Sequence, residues 1–344
     1  MMDYAVRLMG SEDRGRWDDF VQRCPAATFF HRAGWQQVIE EAFSHPTWFM
    51  FAQSAHGEIR AVLPLAQIKS RLFGNTLCSL PFCVYGGIAA ADADAARAVD
   101  EAAQKLAASL QVDHLEYRHM QAHHAGWLHK NTYATFRRPL HADAEKNLLA
   151  IPRKQRAMVR KGIAAGLSST RDAGTDRFFD CYARSVHRLG TPVFSRRYFQ
   201  LLQRVFADDC EVLCIEKKQQ AICAVLSFRF RDEILPYYGG GGEQARKLAG
   251  NDFMYWEVMR RACDDGCTLF DFGRSKYGSG SFAFKKNWGF EPQALQYDYQ
   301  LYRGRQLKDL QPLNPRFKML IRGWRLLPLP LANLIGPHIV RHLG

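Results

Sequence analysis

The sequence has no run approaching the ~18 uncharged apolar residues that a membrane-spanning helix needs, which argues against a helical membrane protein. Its opening residues, MMDYAVRLMGSEDRGRW, carry neither the apolar stretch nor the small-residue cleavage site of a secretory signal. The expected compartment is therefore the cytoplasm. No Cys-x-x-Cys pair occurs, and the cysteines are scattered, with Cys210/Cys214 and Cys263/Cys267 the closest spacings. They read as reduced core thiols, not as a disulfide framework or zinc site. A Gly-x-Ser-x-Gly elbow, a P-loop and a dinucleotide-binding glycine fingerprint are all missing, which excludes the corresponding hydrolase, kinase and dehydrogenase chemistries. Acid is scarce as well: 34 Asp and Glu stand against 47 Lys and Arg, a formal net charge of +13. That balance favours anionic partners such as phosphates, CoA, tRNA or an acidic membrane face, without choosing among them.

What is present is an ordinary globular composition and an internal repeat. At ~150 residues per domain, 344 residues correspond to about two domains. Phe30-His-Arg-Ala-Gly-Trp35-Gln-Gln-Val38 opens a helix-like pattern ending near Phe43; Phe194-Ser-Arg-Arg-Tyr-Phe199-Gln-Leu-Leu202 does the same, ending near Phe206. A hairpin pattern follows each: Thr47–Ala55 into Ile59–Ile68, and Glu211–Lys217 into Ala221–Phe230. Then come Tyr85-Gly86-Gly87 and Tyr238-Gly239-Gly240, each followed by a helical stretch, Asp92–Leu110 or Asn251–Asp265. Each helix leads to a short strand, His114–Arg118 or Leu269–Arg274. Four matched features in the same order indicate a tandem duplication.

The expected fold class is α/β (α+β), with each copy a mixed, mostly antiparallel sheet flanked by helices. The first lobe is expected over 1–145 and the second over 146–310, opening on the basic segment Ile151-Pro-Arg-Lys-Gln-Arg-Ala-Met-Val-Arg-Lys161. A basic amphipathic tail spans 311–344.

Three stretches of the second half carry a family resemblance. They are Arg156-Ala-Met-Val-Arg160-Lys161-Gly-Ile-Ala-Ala-Gly166, Ala262-Cys-Asp-Asp-Gly266-Cys-Thr-Leu-Phe270-Asp-Phe-Gly273 and Phe284-Lys285-Lys-Asn-Trp288-Gly289-Phe290. With them the chain resembles the FemAB family of aminoacyl and acyl transferases, built from two GNAT-type (acyl-CoA N-acyltransferase) lobes, over roughly Phe29 to Tyr302. More narrowly, it resembles the FemAB-like proteins that accompany exosortase/PEP-CTERM and exopolysaccharide systems. The resemblance implies transfer of an acyl group to an amine of an envelope or exopolysaccharide precursor, lipid- or glycan-linked. It also implies acyl-CoA, acyl carrier protein or aminoacyl-tRNA as co-substrate, with no tightly bound cofactor and no metal.

The candidate site residues follow. By resemblance, Lys285 contacts the donor's phosphate or stabilises developing negative charge, with Phe284 stacking or walling the pocket. Asp271 and Arg274 flank the end of a predicted strand, where one accepts a proton and the other holds an anion, or the two form a buried pair. The glycine run with Gly240 and Gly241, followed by Arg246, Gly250 and Asn251, is the candidate pyrophosphate seat at a helix N-terminus. Its register departs from Gln/Arg-x-x-Gly-x-Gly/Ala, since Ala249 and Asn251 occupy the glycine positions. Tyr237 and Tyr238 precede that run and face the same pocket or the core. The first lobe lacks the Phe-Lys element, so it is expected to shape the acceptor site, with Tyr85 and Arg118 as candidates.

Three further features stand apart. His114, His119, His123, His124 and His129 cluster without the companion residues of a known zinc site, and read as surface and strand-end histidines. Arg153, Lys154, Arg156, Arg160 and Lys161 suit tRNA phosphates or plain solvation. Residues 315–344 hold Arg316, Lys318, Arg322, Arg325 and Arg341 among leucines and Trp324, with no acid. Such a basic segment resembles a peripheral membrane anchor at the inner face of the cytoplasmic membrane; the alternative is a tail docked on the lobes.

Overall fold

Runs of Val, Leu, Ile and Phe form long antiparallel hairpins in both halves of the chain, and these set the architecture. A computed structural model describes residues 4–70, 73–120, 123–303, 307 and 315–344. The chain divides into two units, one of Met1–Tyr133, Ala294–Leu310 and Arg341–Gly344, the other of Ala134–Gln293 and Gln311–Val340. Where the sequence suggests contiguous lobes over 1–145 and 146–310, the units interleave along the chain.

In the first unit, strands Ala5–Leu8, Thr47–Gln53, Ile59–Ser70 and Gly74–Cys78 run antiparallel in that order. His114–His119 then joins parallel to Gly74–Cys78, and Gln296–Leu301 and Leu128–Lys130 complete the sheet antiparallel. The parallel crossover holds the helix Ala93–Ser109, whose N-cap Asp92 accepts the Ala95 N–H. Its Ala95, Val99, Ala103 and Ala107 pack into the core with Leu63, Leu65, Leu77 and Leu115 of the sheet.

The second sheet repeats these pairings. Ser168–Asp172, Cys210–Lys217, Gln220–Phe230 and Glu233–Gly241 run antiparallel, Leu269–Asp271 joins parallel, and Arg137–Pro139 closes the edge antiparallel. The crossover here holds the helix Gly250–Asp264, one residue earlier than the expected Asn251 start, because Ala249 caps it in the left-handed region at φ +57°. Its Phe253, Met254, Trp256 and Met259 pack on Leu213, Val225 and Ile234 of the sheet. The shared order of parallel and antiparallel pairings is the structural form of the duplication.

The glycine run is not a loop. Gly239, Gly240 and Gly241 pair in register with Val225, Ala224 and Cys223. A Cβ on Gly240 would lie 2.7 Å from Ser185 Cβ and 3.1 Å from Tyr182 Cα; one on Gly239 would meet Tyr255 Oη at 3.0 Å. These glycines admit a helix close to each face of the sheet. The basic segment forms the helix Arg153–Ala164, with Pro152 at its N-cap and Gly162 against Phe253. The tail forms two helices, Pro315–Leu326 and Leu329–Val340. They dock beside the helix Asp176–Leu189: Ile321 lies against Gly190, Gly336 against Val193, and His187 Nε2 is 3.1 Å from the Trp324 carbonyl oxygen.

Candidate active site

The parallel pair of the second sheet lasts for two registers, Glu233 with Leu269 and Ile234 with Phe270. Beyond it, Glu233–Gly241 continues along Gln220–Phe230 alone and bulges at Tyr237: Ser227 faces Pro236, but Leu226 faces Tyr238. On the other strand, Asp271 turns the chain. Its Oδ1 accepts the Gly273 N–H at 2.7 Å, and Gly273 takes φ +65°. The helix Gly280–Asn287, capped by Ser279 Oγ on the Phe282 N–H, delivers Lys285 to this turn. Lys285 Nζ donates to the carbonyl oxygens of Gly273 and Arg274, both at 3.0 Å. It also lies 5.5 Å and 5.7 Å from the ring centroids of Phe136 and Phe272. The residue is 9% exposed. Burial lowers its pKa to about 7, with Asp271 opposing and the Arg274 charge adding to the shift. With two positions of the tetrahedral nitrogen on carbonyls and one on Cε, a single position remains, an N–H or a lone pair according to pH.

Asp271 is 1% exposed, and Arg137, a residue the sequence reading did not single out, places its Nε 3.3 Å from Oδ2. Thr135 Oγ1 also reaches Oδ1 at 3.4 Å. Arg137 and Phe136 were missed in the sequence because they belong to no helix pattern or repeat match. Their one signal is the Phe136-Arg-Arg138-Pro run ahead of the boundary. Phe284 packs on Tyr255 and Trp288, with ring centroids 5.6 Å and 6.0 Å away. Tyr238 is buried, its Oη 2.9 Å from Tyr198 Oη, and burial raises its pKa well above the ordinary tyrosine value. It is a core residue. Tyr237, at the bulge, is half-buried.

The remaining candidates on this unit gather near the start of the helix Gly250–Asp264. A Cβ on Gly241 would meet Cys223 Cβ at 2.6 Å, and one on Gly250 would lie 3.1 Å from Ala245 Cα. Arg246 is exposed on the short helix Glu243–Lys247. Asn251 Oδ1 is buried without a hydrogen-bond partner. The first turn already holds a carboxylate: Asp252, 7% exposed, accepts the Trp288 Nε1–H at 3.1 Å and a hydrogen bond from Gln155 Nε2. Burial raises the Asp252 pKa.

Residues 151–286 match the family profile described as Acetyltransferase (GNAT) domain. Among solved structures, FemX superimposes with a TM-score of 0.64 at 14% identity, over 86% of this chain and 96% of that one. The fold is a tandem GNAT fold. The C-terminal domain of a putative lysylphosphatidylglycerol synthetase from Agrobacterium fabrum matches at TM-score 0.56 and 13% identity, covering 86% of this chain and 93% of its own. A tandem GNAT protein from the clavulanic acid biosynthesis pathway matches at 0.54 and 12%, covering 89% and 100%. A comparison with curated protein sequences finds no match. The FemAB resemblance thus holds at the level of fold. GNAT lobes seat the CoA pyrophosphate at a helix N-terminus on free backbone N–H groups. Here Gly240 and Gly241 pair within the sheet, a Cβ on Gly250 would meet Ala245, and the Asp252 carboxylate stands in the first turn of the helix.

In the first GNAT-like lobe, Arg118 is 3% exposed. Its Nε donates to Glu116 Oε1 at 2.7 Å and its Nη1 to the carbonyl oxygens of Cys83 at 2.8 Å and Leu80 at 3.2 Å. It braces the segment 79–83, a structural use beside the acceptor-site role expected from the sequence. Tyr85 is 3% exposed, edge-on to Phe30 at 5.9 Å, and is likewise a packing residue. His114 and His119 stand at the two ends of one strand and His123 and His129 are exposed, the strand-end and surface positions expected; around Asp298 they are tied into a network. Asp298, 0% exposed, accepts the His123 and His124 amides at 2.9 Å and 3.2 Å and lies 2.8 Å from His129 Nδ1. His124 Nε2 lies 2.9 Å from Asp100; against burial, these two carboxylates raise its pKa to about 9. Among the described residues, no group of three His, Cys, Asp or Glu is placed to hold a metal.

Proposed function

We propose that this chain is a GNAT-type N-acyltransferase or aminoacyltransferase acting on an amine, with Lys285 at the reacting centre. The observation that carries the reading is the buried Lys285 amine, pinned on two backbone carbonyls just beyond the point where the parallel strands part. In the reaction the neutral acceptor amine attacks the acyl carbonyl carbon. A C–N bond forms, the carrier's C–O or C–S bond breaks, and the carrier leaves as its alcohol or thiol with the proton lost by nitrogen. As ammonium, Lys285 gives its third N–H to the developing oxyanion, in surroundings that exclude water and strengthen that bond. Asp271 and Arg137 act as positioning residues for the Gly273 turn. The Arg274 carbonyl, not its charge, is the part that touches Lys285.

A carrier recognised over a broad surface, acyl carrier protein or aminoacyl-tRNA, suits the closed glycine seat better than free CoA. Exposed Arg153, Lys154, Arg160 and Lys161 on one helix suit such a polyanion. The acceptor is an amino sugar, lipid-linked precursor or peptide amine of the envelope or exopolysaccharide, and the enzyme works in the cytoplasm at the inner membrane face. The narrower exosortase-type resemblance supports that choice. The closed seat also favours a second reading, a catalytically silent GNAT-fold protein that holds an anionic glycan or nucleic acid.

Native mass spectrometry after incubation with a CoA thioester panel and charged tRNA, followed by product detection, separates the two. The enzyme reading expects acyl transfer and a ~10²–10³-fold lower kcat/KM in Lys285→Ala. It also expects a fall in wild-type rate above pH 7 that the variant lacks, because deprotonation removes the third N–H. Equal turnover in Lys285→Ala removes this site assignment, and ligand capture without product supports the binding protein.

A further inference from the structure

The helix Leu329–Val340 is apolar on both sides, with its small residues facing inward. Ala332, Gly336 and Val340, at i, i+4 and i+8, are buried, and a Cβ on Gly336 would lie 3.0 Å from the Val193 backbone. The opposite side carries Leu331, Leu334 and Ile335, at i, i+3 and i+4, and these are 40%, 69% and 36% exposed. A helix that served only to cover its lobe would turn the large side chains inward. The preceding helix adds Leu320 and Leu326, 67% and 84% exposed, while its Ile321 packs on Gly190. Arg322 and Arg325 are exposed beside them, and no Asp or Glu occurs between residues 315 and 344. The two readings of the tail, docked or membrane-facing, are thus two sides of one element.

We propose that this pre-docked helical pair is a binding surface for an anionic lipid bilayer. Neither helix can span: 12 residues at ~1.5 Å each give ~18 Å, against a hydrocarbon core of ~30 Å. Exposed leucines bordered by arginines are the chemistry of an interfacial helix, in which apolar side chains enter the acyl boundary and cations meet lipid phosphates. A second copy of the chain is the poorer occupant, because packing this face on itself would gather both copies' Arg322 and Arg325 with no Asp or Glu in residues 315–344 to pair them. The proposal does not rest on the transfer chemistry.

The test is co-sedimentation of the full chain with vesicles of about one-third phosphatidylglycerol, and with vesicles of phosphatidylcholine alone. The chain should pellet with the anionic vesicles, less so as salt rises, and remain in solution with the neutral ones. Leu331→Ser/Leu334→Ser/Ile335→Ser should lower partitioning by about tenfold or more. Leu331 and Ile335 are only 40% and 36% exposed, so the control is Leu334→Ser alone, at a side chain 69% exposed: it should lower partitioning with thermal unfolding unchanged, and Arg322→Glu should weaken binding less. Lys285→Ala should bind vesicles like the wild type, so loss of transfer and loss of membrane contact are separately visible. Failure of the wild type to pellet with anionic vesicles, or equal partitioning of the triple variant, overturns the proposal. So does a dimer that the triple variant dissolves in the absence of lipid.

Discussion

Lys285 has given up water for two carbonyl oxygens at 3.0 Å without gaining a carboxylate in direct contact. Burial therefore outweighs the distant attraction of Asp271, and its pKa falls from 10.5 to about 7. Between those values the unfolded chain binds a proton that the folded chain does not, so this residue's contribution to stability rises with pH across the window. Lys285→Met, similar in length and uncharged, should raise the unfolding temperature at pH 6.5, and the gain should shrink towards pH 10. At about 2–4 °C per kcal/mol, a shift of several degrees is expected in scanning calorimetry at the two pH values. A variant less stable than wild type at pH 6.5 would mark the amine as a structural tie, not a group retained at the expense of stability. Arg118 makes the contrast: it also sits near the end of a strand, but its guanidinium meets the Glu116 carboxylate as well as two carbonyls. Nothing local in the sequence separates these two cations. The distinction lies in the partners: Arg118 pairs with a carboxylate and braces segment 79–83, whereas Lys285 meets two carbonyls and, among the described residues, no carboxylate.

At the scale of the element, the glycine run shows how one residue type answers to two different causes. A phosphate-binding loop needs glycine so that backbone can approach a ligand; a sheet between close helices needs it so that side chains can approach backbone. Gly240→Ala would drive a Cβ against Ser185 and the Tyr182 backbone, an overpacking that costs roughly 1–3 kcal/mol. Gly242 has open space and an extended backbone, φ −80° and ψ −165°, so Gly242→Ala should leave thermal unfolding nearly unchanged. The reverse order of effects, with Gly242→Ala abolishing donor binding and Gly240→Ala silent, would restore the loop as a ligand seat. The hairpins were legible because alternating β-branched and apolar residues between polar turns have few other solutions. The role of the glycines was not, because it depends on Tyr182, Ser185 and Tyr255, all more than ten residues away in the chain.

The duplication was legible because the order of matched features survives divergence of the residues themselves. The interleaving was not. Gln296–Leu301 pairs with both His114–His119 and Leu128–Lys130 in the first sheet, and Arg137–Pro139 pairs with Leu269–Asp271 in the second. Such short strands carry little periodicity, and their partners lie over a hundred residues away. The dependence is physical, since Tyr297 and Asp298 are 2% and 0% exposed and Asp298 accepts the His123 and His124 amides. Residues 1–133 alone would therefore expose the edge of His114–His119 and leave those amides and the His129 ring without their carboxylate. That fragment should lack a cooperative thermal transition and near-ultraviolet circular dichroism. Joining residues 294–303 to it through a flexible linker should restore both, because loop closure costs only about 0.6 kcal/mol for each doubling of linker length. Cooperative unfolding of 1–133 without that strand would show that the first unit does not depend on the chain that returns to it.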